Sequence, residues 1–200
     1  MSRINASCTV RPVIPAAPGA DRHPGLDLAN SRLSMPGGQV TDLIGTPREA
    51  ARWLIERDLA PAGTVLHEIC AGRLRALRER IRELFAAHVH GAEPPAEALA
   101  AVNTALTRVP TAAELRWDPA TGLHRSAPHP TDQAVDHALG VLAADAADLL
   151  TGPDAARLTA CDSSPCMRYL LRTGRRHWCS VRCGDRARAA RAYARRADRI

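Results

Sequence analysis

Hydrophobic residues at helical spacing predict a helix after Thr46. Thr46 and Glu49 form a capping-box pattern around Pro47, and proline is favoured at the first position of a helix. The residues predicted to form its buried face are Ala50, Trp53 and Leu54. We therefore predict a helix from residue 47 to about residue 58.

The longest periodic stretch runs from about residue 64 to residue 90. Its apolar positions recur at helical spacing and are Leu66, Ile69, Cys70, Leu74, Leu77, Ile81, Leu84, Phe85 and His88. The other face carries five arginines and two glutamates, and this mixture of signs predicts that it faces solvent. Gly91 and the prolines after it end the helix. Two further helices are predicted over residues 95–109 and 131–150.

One hairpin pattern interrupts the helices. Residues 113–117 and 123–126 flank the turn sequence Asp118-Pro-Ala-Thr-Gly122. Because two strands alone are marginally stable, we expect this hairpin to pack on the helices or to pair with an N-terminal strand near residues 8–14. Residues 1–24 contain four prolines and are expected to be extended or disordered. A short helical segment is predicted over Leu26–Ser31.

These elements predict a mainly α fold, of the α+β type with a small antiparallel sheet. A helical N-terminal domain spans residues 25–152, and a short linker joins it to a C-terminal module over residues 157–200. Aromatic residues make up only 3% of the 200-residue chain, which favours packed helices over a sheet-rich core. A chain of this length holds one core domain and a small satellite.

Four cysteines of the C-terminal module form two short pairs. Cys161 and Cys166 enclose turn-forming residues, and Cys179 and Cys183 follow after twelve further residues. Two such pairs are typical of a four-thiolate zinc site, because each short loop wraps one side of a tetrahedron. An iron–sulfur cluster or a redox dithiol would use the same residues, and two disulfides are disfavoured because no secretory signal precedes them. We predict one structural zinc ion, Zn²⁺.

The segments between and after the pairs complete this module. Residues 167–171 and 175–178 flank Thr173-Gly174, which predicts a hairpin turn there. A helix is expected to begin at Cys183, where its dipole would stabilise thiolate charge. A knuckle, a hairpin and a helix in this order predict a treble-clef-like zinc finger.

The positive charge of the chain is concentrated in this finger. Residues 157–200 hold twelve arginines and three aspartates, a net charge of +9, whereas the whole chain carries +6. On a helical wheel Arg188, Arg191, Arg195 and Arg199 share one stripe, and alanines fill the opposite face. This density favours a phosphate-binding surface over a merely solvated helix. The expected nucleic-acid contacts are Arg175, Arg176, His177, Arg182, Arg186, Arg188, Arg191 and Arg195.

Two stretches carry a family resemblance. The sequence Arg175-Arg-His-Trp-Cys-Ser-Val-Arg-Cys-Gly-Asp-Arg186, preceded by the first cysteine pair, resembles the CGNR zinc finger. The front of the chain, with Gly25-Leu-Asp-Leu-Ala-Asn-Ser31 and residues 42–54, is similar to the ABATE domain that accompanies this finger. The resemblance implies zinc ligation by the same four cysteines and a role in stress-induced transcription regulation. The chain departs from the motif at Asp185, which replaces an asparagine, and in a second cysteine pair that is one residue tighter.

We therefore expect a zinc-containing, DNA-binding transcription regulator in the cytoplasm. Its helical domain is expected to sense a small-molecule effector or to form a homodimer. Asp27, Asn30 and Ser31 form a polar cluster that would line an effector pocket, although capping or hydrogen bonding between helices explains them equally well. The alternative is a structural zinc module that mediates protein or RNA interaction without a DNA-specific role.

Enzymes and membrane proteins are disfavoured. The chain contains neither a phosphate-binding P-loop nor a serine nucleophile elbow, so no catalytic residue is predicted. No apolar run approaches the ~18 residues that are needed to cross a bilayer.

Overall fold

The computed structural model of the protein describes residues 15–34, 39–108, 114–126 and 134–197. The fold is mainly α, as predicted, with small antiparallel sheets. Its elements are α1 (Pro24–Ala29), β1 (Arg32–Ser34), β2 (Val40–Asp42), α2 (Pro47–Ile55), α3 (Glu68–His90), α4 (Ala96–Arg108), β3 (Glu114–Asp118), β4 (Gly122–Ser126), α5 (Ala134–Thr151), a short 3-10 helix (Ala155–Arg157), β5 (Leu158–Ala160), β6 (Tyr169–Leu171) and α6 (Val181–Ala197).

The helix α3 is the centre of the packing. It contacts α1, α2, α4 and α5, and it also contacts β5. The apolar side chains Leu74, Ile81 and Phe85 are fully buried between these elements. The core that they form continues into the cysteine-rich module, where Leu170 and Leu171 are equally buried. The helical part and the module therefore share one hydrophobic core.

The predicted capping box is confirmed at the start of α2. The hydroxyl of Thr46 accepts a hydrogen bond from the Glu49 amide, and the Glu49 carboxylate accepts one from the Thr46 amide. Gly91 ends α3 with a left-handed φ of 62°, as its position predicts. The start of α3 was predicted too early, because the backbone amide and hydroxyl of Thr64 both bond to the carbonyl of Pro61 in a separate turn.

Three predictions about the faces of α3 are wrong. Ile69 and His88 were expected on the apolar face, but Ile69 is 79% exposed in the first turn of the helix and His88 is exposed in the last turn. Arg78 was expected to face solvent, but its guanidinium is buried against β2. It donates two hydrogen bonds to Asp42, at 2.6 and 2.9 Å, and one to the Ser31 hydroxyl at 3.2 Å. A helical wheel cannot distinguish Arg78 from Arg75 or Arg80, which are only half-buried, because the covering strand comes from a distant segment.

The β3–β4 hairpin forms at the predicted turn, with Leu115 opposite Arg125 and Trp117 opposite Leu123. It pairs with no other strand in the described part of the chain. Leu115, Trp117 and Leu123 are all about 70% exposed, so these apolar side chains of the hairpin are not packed on the described helices. The N-terminal strand predicted near residues 8–14 lies outside the described residues.

The segment from Pro15 to His23 was expected to be extended or disordered, but it forms turns and packs on the core. Ala17 and Ala20 are buried. The carbonyl of Pro18 accepts a hydrogen bond from the Leu171 amide at 2.8 Å. At the other end of the segment, His23 Nδ1 lies 3.0 Å from the Asp145 carboxylate of α5. The segment therefore joins α5 to β6.

Within the described ranges, no helix combines the length and the apolar character that spanning a membrane requires.

Replacing Arg78 with glutamine should destabilise the fold by about 3 kcal/mol, because it leaves Asp42 half-buried without its partner. The matched control is Arg80→Gln, whose partly exposed ion pair with Glu83 should contribute less than about 1 kcal/mol. Urea unfolding at neutral pH measures both differences.

The same pair should make stability sensitive to acid. Burial raises the pKa of Asp42, but hydrogen bonds from Arg78 and from the Ile44 amide together lower it below its ordinary value of 3.8. The stabilisation from a lowered carboxyl pKa is present above the ordinary value and is lost as the pH falls through the folded value. The gap between wild type and Arg78→Gln should therefore shrink below about pH 4. A gap that stays constant down to pH 3 would contradict this assignment.

Candidate metal centre

The four cysteine sulfurs meet in one cluster. Their Sγ atoms all lie within 4.8 Å of one another, and the distances from Cys179 to Cys166 and to Cys183 are both 3.6 Å. Bonds of about 2.3 Å to a tetrahedral zinc ion would separate neighbouring sulfurs by about 3.8 Å. A disulfide would instead bring two sulfurs to about 2.05 Å. The arrangement therefore fits four thiolates around one zinc ion.

The first two sulfurs are held by a loop between paired strands. β5 and β6 run antiparallel with Leu158 opposite Leu171 and Ala160 opposite Tyr169. Cys161 directly follows β5, and its amide donates to the Arg168 carbonyl at 2.9 Å. The amide of Cys166 closes the loop by donating to the Ser163 carbonyl at 2.7 Å. The strand pairing thus fixes the loop that carries both sulfurs.

The other two sulfurs lie at the start of α6. Ser180 caps this helix, because its hydroxyl accepts a hydrogen bond from the Cys183 amide at 3.2 Å. Its carbonyl accepts from the Gly184 amide, which continues the first turn. The positive end of the helix dipole therefore faces the sulfur cluster and favours thiolate charge.

The hairpin predicted across Thr173-Gly174 is wrong, although a turn exists there. Gly174 has a φ of 55°, and the Arg176 amide donates to the Thr173 carbonyl at 3.1 Å. The strand before this turn, β6, pairs instead with β5, which precedes the first cysteine. Residues 175–178 are consequently an irregular connection to α6.

Contacts among the sulfurs give the cysteines different pKa values. The pKa of Cys161 lies below its ordinary value, because the contacts with Cys166 and Cys179 stabilise its thiolate. The contacts with Cys161 and Cys179 raise the pKa of Cys166, because they favour its neutral thiol over a further thiolate in the cluster. Zinc takes cysteine as thiolate, so its binding must displace the proton of Cys166. The affinity for zinc should therefore increase with pH.

A buried cation lies beside the cluster. Arg168 is only 7% exposed, and its Nη1 approaches Cys179 Sγ at 4.0 Å. Four thiolates around a divalent ion carry net negative charge, so a neighbouring guanidinium is the partner that such a buried site requires. Arg168 is not among the site residues that the sequence predicts. Its position two residues after Cys166, at the start of an apolar strand, was the available signal.

The finger is fastened to the helical part through β6. The side-chain amide of Asn30 donates to the Tyr169 carbonyl at 2.9 Å and accepts from the Tyr169 amide at 2.8 Å. The ring of Tyr169 makes an edge contact with Phe85, with the ring centroids 5.6 Å apart. Arg82 lies over the same ring and donates to the carbonyls of Ala29 and Met167. Zinc ligation and the folding of the helical part are therefore physically linked.

The polar cluster predicted near the N-terminus has protein partners. Asn30 makes the two bonds to Tyr169, Ser31 accepts from Arg78, and Asp27 forms an ion pair with Arg57 of the segment after α2. Such hydrogen bonding was the second explanation that the sequence left open. It accounts for all three side chains without a ligand, so their role in a pocket stays a prediction.

The arginine-rich residues surround Trp178 and α6. The guanidinium carbons of Arg188 and Arg191 lie 5.7 and 5.6 Å from the centre of the Trp178 ring. Arg188 also forms an ion pair with Asp185 at 2.5 Å. The predicted contact residues Arg175, Arg176, Arg182, Arg188, Arg191 and Arg195 are exposed, whereas His177 and Arg186 are half-buried.

The alanine face of α6 is covered only near the cluster. Ala187 is buried, whereas Ala190, Ala194 and Ala197 are exposed. Within the described residues, the C-terminal half of the helix therefore extends away from the core. Arg199 of the predicted stripe lies outside the described residues.

These features define a class of protein: a helical unit with a four-cysteine zinc finger packed on its edge. Comparison with protein families matches residues 22–153 to the ABATE family, described as "Putative stress-induced transcription regulator", and residues 157–196 to the CGNR zinc finger. The first match covers more than half of the chain, which therefore belongs to the ABATE family. No curated protein matches the chain.

Replacing Cys179 with serine should abolish stable zinc binding, because this sulfur neighbours the other three. The matched control is Cys70→Ser, since Cys70 lies on α3 outside the cluster. Elemental analysis should find one zinc per chain in the wild type and in the control.

The stability of the variants should follow their zinc content. Loss of zinc should lower the free energy of unfolding by about 4 kcal/mol when free zinc exceeds its dissociation constant ~1,000-fold. Urea unfolding of the whole chain measures the difference. Equal zinc content in both variants would contradict the assigned ligands.

Proposed function

We propose that this protein is a zinc-dependent DNA-binding regulator of transcription that acts in the cytoplasm. The observation that carries the proposal is the exposed arginine face of α6, which begins at the cysteine cluster and carries Arg188 and Arg191 beside Trp178. The family description of the N-terminal part and the CGNR finger support the same assignment.

The dimensions of α6 suit the major groove. Its 17 residues extend about 25 Å, and a helix of ordinary diameter enters a major groove that is about 12 Å wide. The C-terminal half of α6 is not packed against the described core, and it carries Arg191 and Arg195. Arginine forks form bidentate bonds to phosphate or to guanine. The helix therefore offers both charge and donors to a duplex.

Trp178 limits the freedom of two of these arginines. A guanidinium over an indole ring is attracted to it by cation–π interaction, which reduces the conformational entropy that binding must remove. Gly184 permits this arrangement, because a Cβ there would lie 3.2 Å from Trp178 Cε3 and 3.4 Å from Arg188 Nη1. The glycine of the motif thus keeps room for the tryptophan and the arginine.

Zinc has a structural role in this proposal. It would hold the start of α6 against the β5–β6 loop and so fix the helix relative to the core. Neither family match describes an enzyme, and we assign no catalytic residue.

An effector site would fit the helical part. A cavity of about 320 Å³ between α3, α4 and α5 is lined mostly by apolar side chains, with His88 and Thr151 among the polar ones. The ring of His88 hydrogen-bonds to the carbonyl of Ala155, in the connection to the finger, at 2.8 Å. Because His88 both lines the cavity and contacts the connection to the finger, a small molecule in the cavity could affect the finger. This supports the hypothesis that the helical part senses a small molecule. Formation of a homodimer stays a prediction.

The direct test is binding of the zinc-loaded full chain to random duplex DNA, followed by selection. A regulator should retain a preferred duplex at salt that removes bulk binding, and it should prefer that duplex over matched RNA and single strands. A preference for RNA, or for no nucleic acid, would favour the alternative of a structural zinc module for another partner.

Replacing Arg191 and Arg195 together with glutamine should weaken binding to every duplex. Each phosphate contact contributes about 0.9 to the slope of log affinity against log salt, so the double variant should reduce this slope by about 1.8. Arg48→Gln is the control, since Arg48 is exposed on the helical part. An unchanged slope in the double variant would place the nucleic-acid contacts elsewhere.

Replacing Asp185 with asparagine should strengthen binding. Asp185 neutralises Arg188 and lies on the surface that would face phosphate, so its removal should raise affinity several-fold at low salt and less at high salt. Glu93→Gln is the control, because it removes one exposed acid from the helical part. Weaker binding by Asp185→Asn would mean that the ion pair positions Arg188 for contact. Zinc content must be equal in all three proteins.

A further inference from the structure

Arg168 is a charged side chain in an unusual place. It lies at the end of the cysteine loop, immediately before β6, and its side chain is buried in the core that contains Cys161 and Cys179. No carboxylate of the described residues forms an ion pair with it, and its Nε is buried without a hydrogen bond to any described residue. A buried guanidinium without an anionic partner is strongly destabilising.

The sulfur cluster supplies the missing anion. Nη1 of Arg168 points at Cys179 Sγ from 4.0 Å, and the backbone carbonyl of Arg168 accepts a hydrogen bond from the Cys161 amide at 2.9 Å. One residue thus contacts a cysteine of each pair. Only when the sulfurs are thiolates does the guanidinium gain the charge partner that its burial requires.

The same side chain holds the N-terminal segment. Nη2 of Arg168 donates to the Pro15 carbonyl at 3.0 Å. Three residues later, the Pro18 carbonyl accepts the Leu171 amide, and Gly19 packs so closely on Leu171 that a Cβ would lie 2.5 Å from it. The segment 15–20 lies outside the residues that match the zinc finger. Arg168 therefore bridges the sulfur cluster and a part of the chain that the finger alone does not contain.

We propose that Arg168 is a positioning residue of the zinc centre, which holds the thiolates through its charge and couples zinc retention to the docking of residues 15–20. Outer-shell contacts of this kind orient the ligands of a metal and change its affinity. The inference does not depend on binding of nucleic acid. It predicts that the isolated finger would bind zinc with lower affinity than the full chain.

The test replaces Arg168 with glutamine in the zinc-loaded full chain. Transfer of zinc to a chromogenic chelator should become about 10- to 100-fold faster. The control is Arg172→Gln, which removes an exposed arginine just after β6 and should leave the rate unchanged. Far-UV circular dichroism verifies that both variants are folded.

Two further readouts separate positioning from general stability. In the cobalt-substituted protein, loss of the guanidinium should shift the sulfur-to-metal charge-transfer band to lower energy, since the thiolate electrons are less stabilised. Hydrogen exchange in residues 15–20 should accelerate in Arg168→Gln and stay slow in Arg172→Gln.

Arg168→Lys keeps the charge but has no planar fork to reach two acceptors. It should restore slow zinc transfer to within a few-fold of wild type, while residues 15–20 still exchange faster. If Arg168→Gln does not fold, this variant alone carries the test. The proposal is overturned if Arg168→Gln matches Arg172→Gln in transfer rate and charge-transfer band, or if Arg168→Lys transfers zinc about 10-fold or more faster than wild type.

Discussion

Two hydrogen bonds between the Asn30 side chain and the Tyr169 backbone link the helical part of this protein to its zinc finger. The amide of Asn30 satisfies both backbone groups of Tyr169 in the interior, where unpaired polar groups are costly. It fixes β6 against α1 and α3, and β6 in turn fixes β5 and the loop with Cys161 and Cys166. The second cysteine pair closes on this loop, so the direction in which α6 leaves the core depends on the same contact. A zinc finger that would be too small to fold alone gains its platform in this way.

Two buried arginines, Arg78 and Arg168, and the half-buried Arg82 make the other long-range connections. Arg78 joins α3 to β2, Arg82 joins it to Ala29 and Met167, and Arg168 joins β6 to the sulfur cluster and Pro15. The planar fork of arginine can reach acceptors on two segments at once, which the single ammonium of lysine does less well. The chain contains no lysine, and these three positions give its arginines a structural role that is distinct from the charge of α6. Replacing one of these three arginines should therefore destabilise the fold, whereas replacing an exposed arginine of α6 should change mainly the charge of the surface.

The C-terminal half of α6 lies outside this network of contacts. The helix is held at its first turns, through Cys183 and Ala187, and beyond them its described arginines are exposed to solvent. Such an arm suits a partner of high negative charge that supplies the missing contacts on binding. Asp185 and Trp178 adjust how the first arginines of the arm are presented, since one neutralises Arg188 and the other holds Arg188 and Arg191 near its ring.

Local patterns in the sequence determined the capping box at Thr46, the end of α3 at Gly91, the turn between β3 and β4, and the grouping of four cysteines for zinc. Each of these depends on residues only a few positions apart, whose hydrogen bonds or ligand spacing form within one turn or loop. Only the tertiary structure decided that Arg78 is buried, that Asn30 binds a residue 139 positions away, and that β6 pairs with β5. These outcomes depend on which distant segment covers a given side chain. Residues of the same type, such as Arg78 and Arg80, look alike until that packing exists.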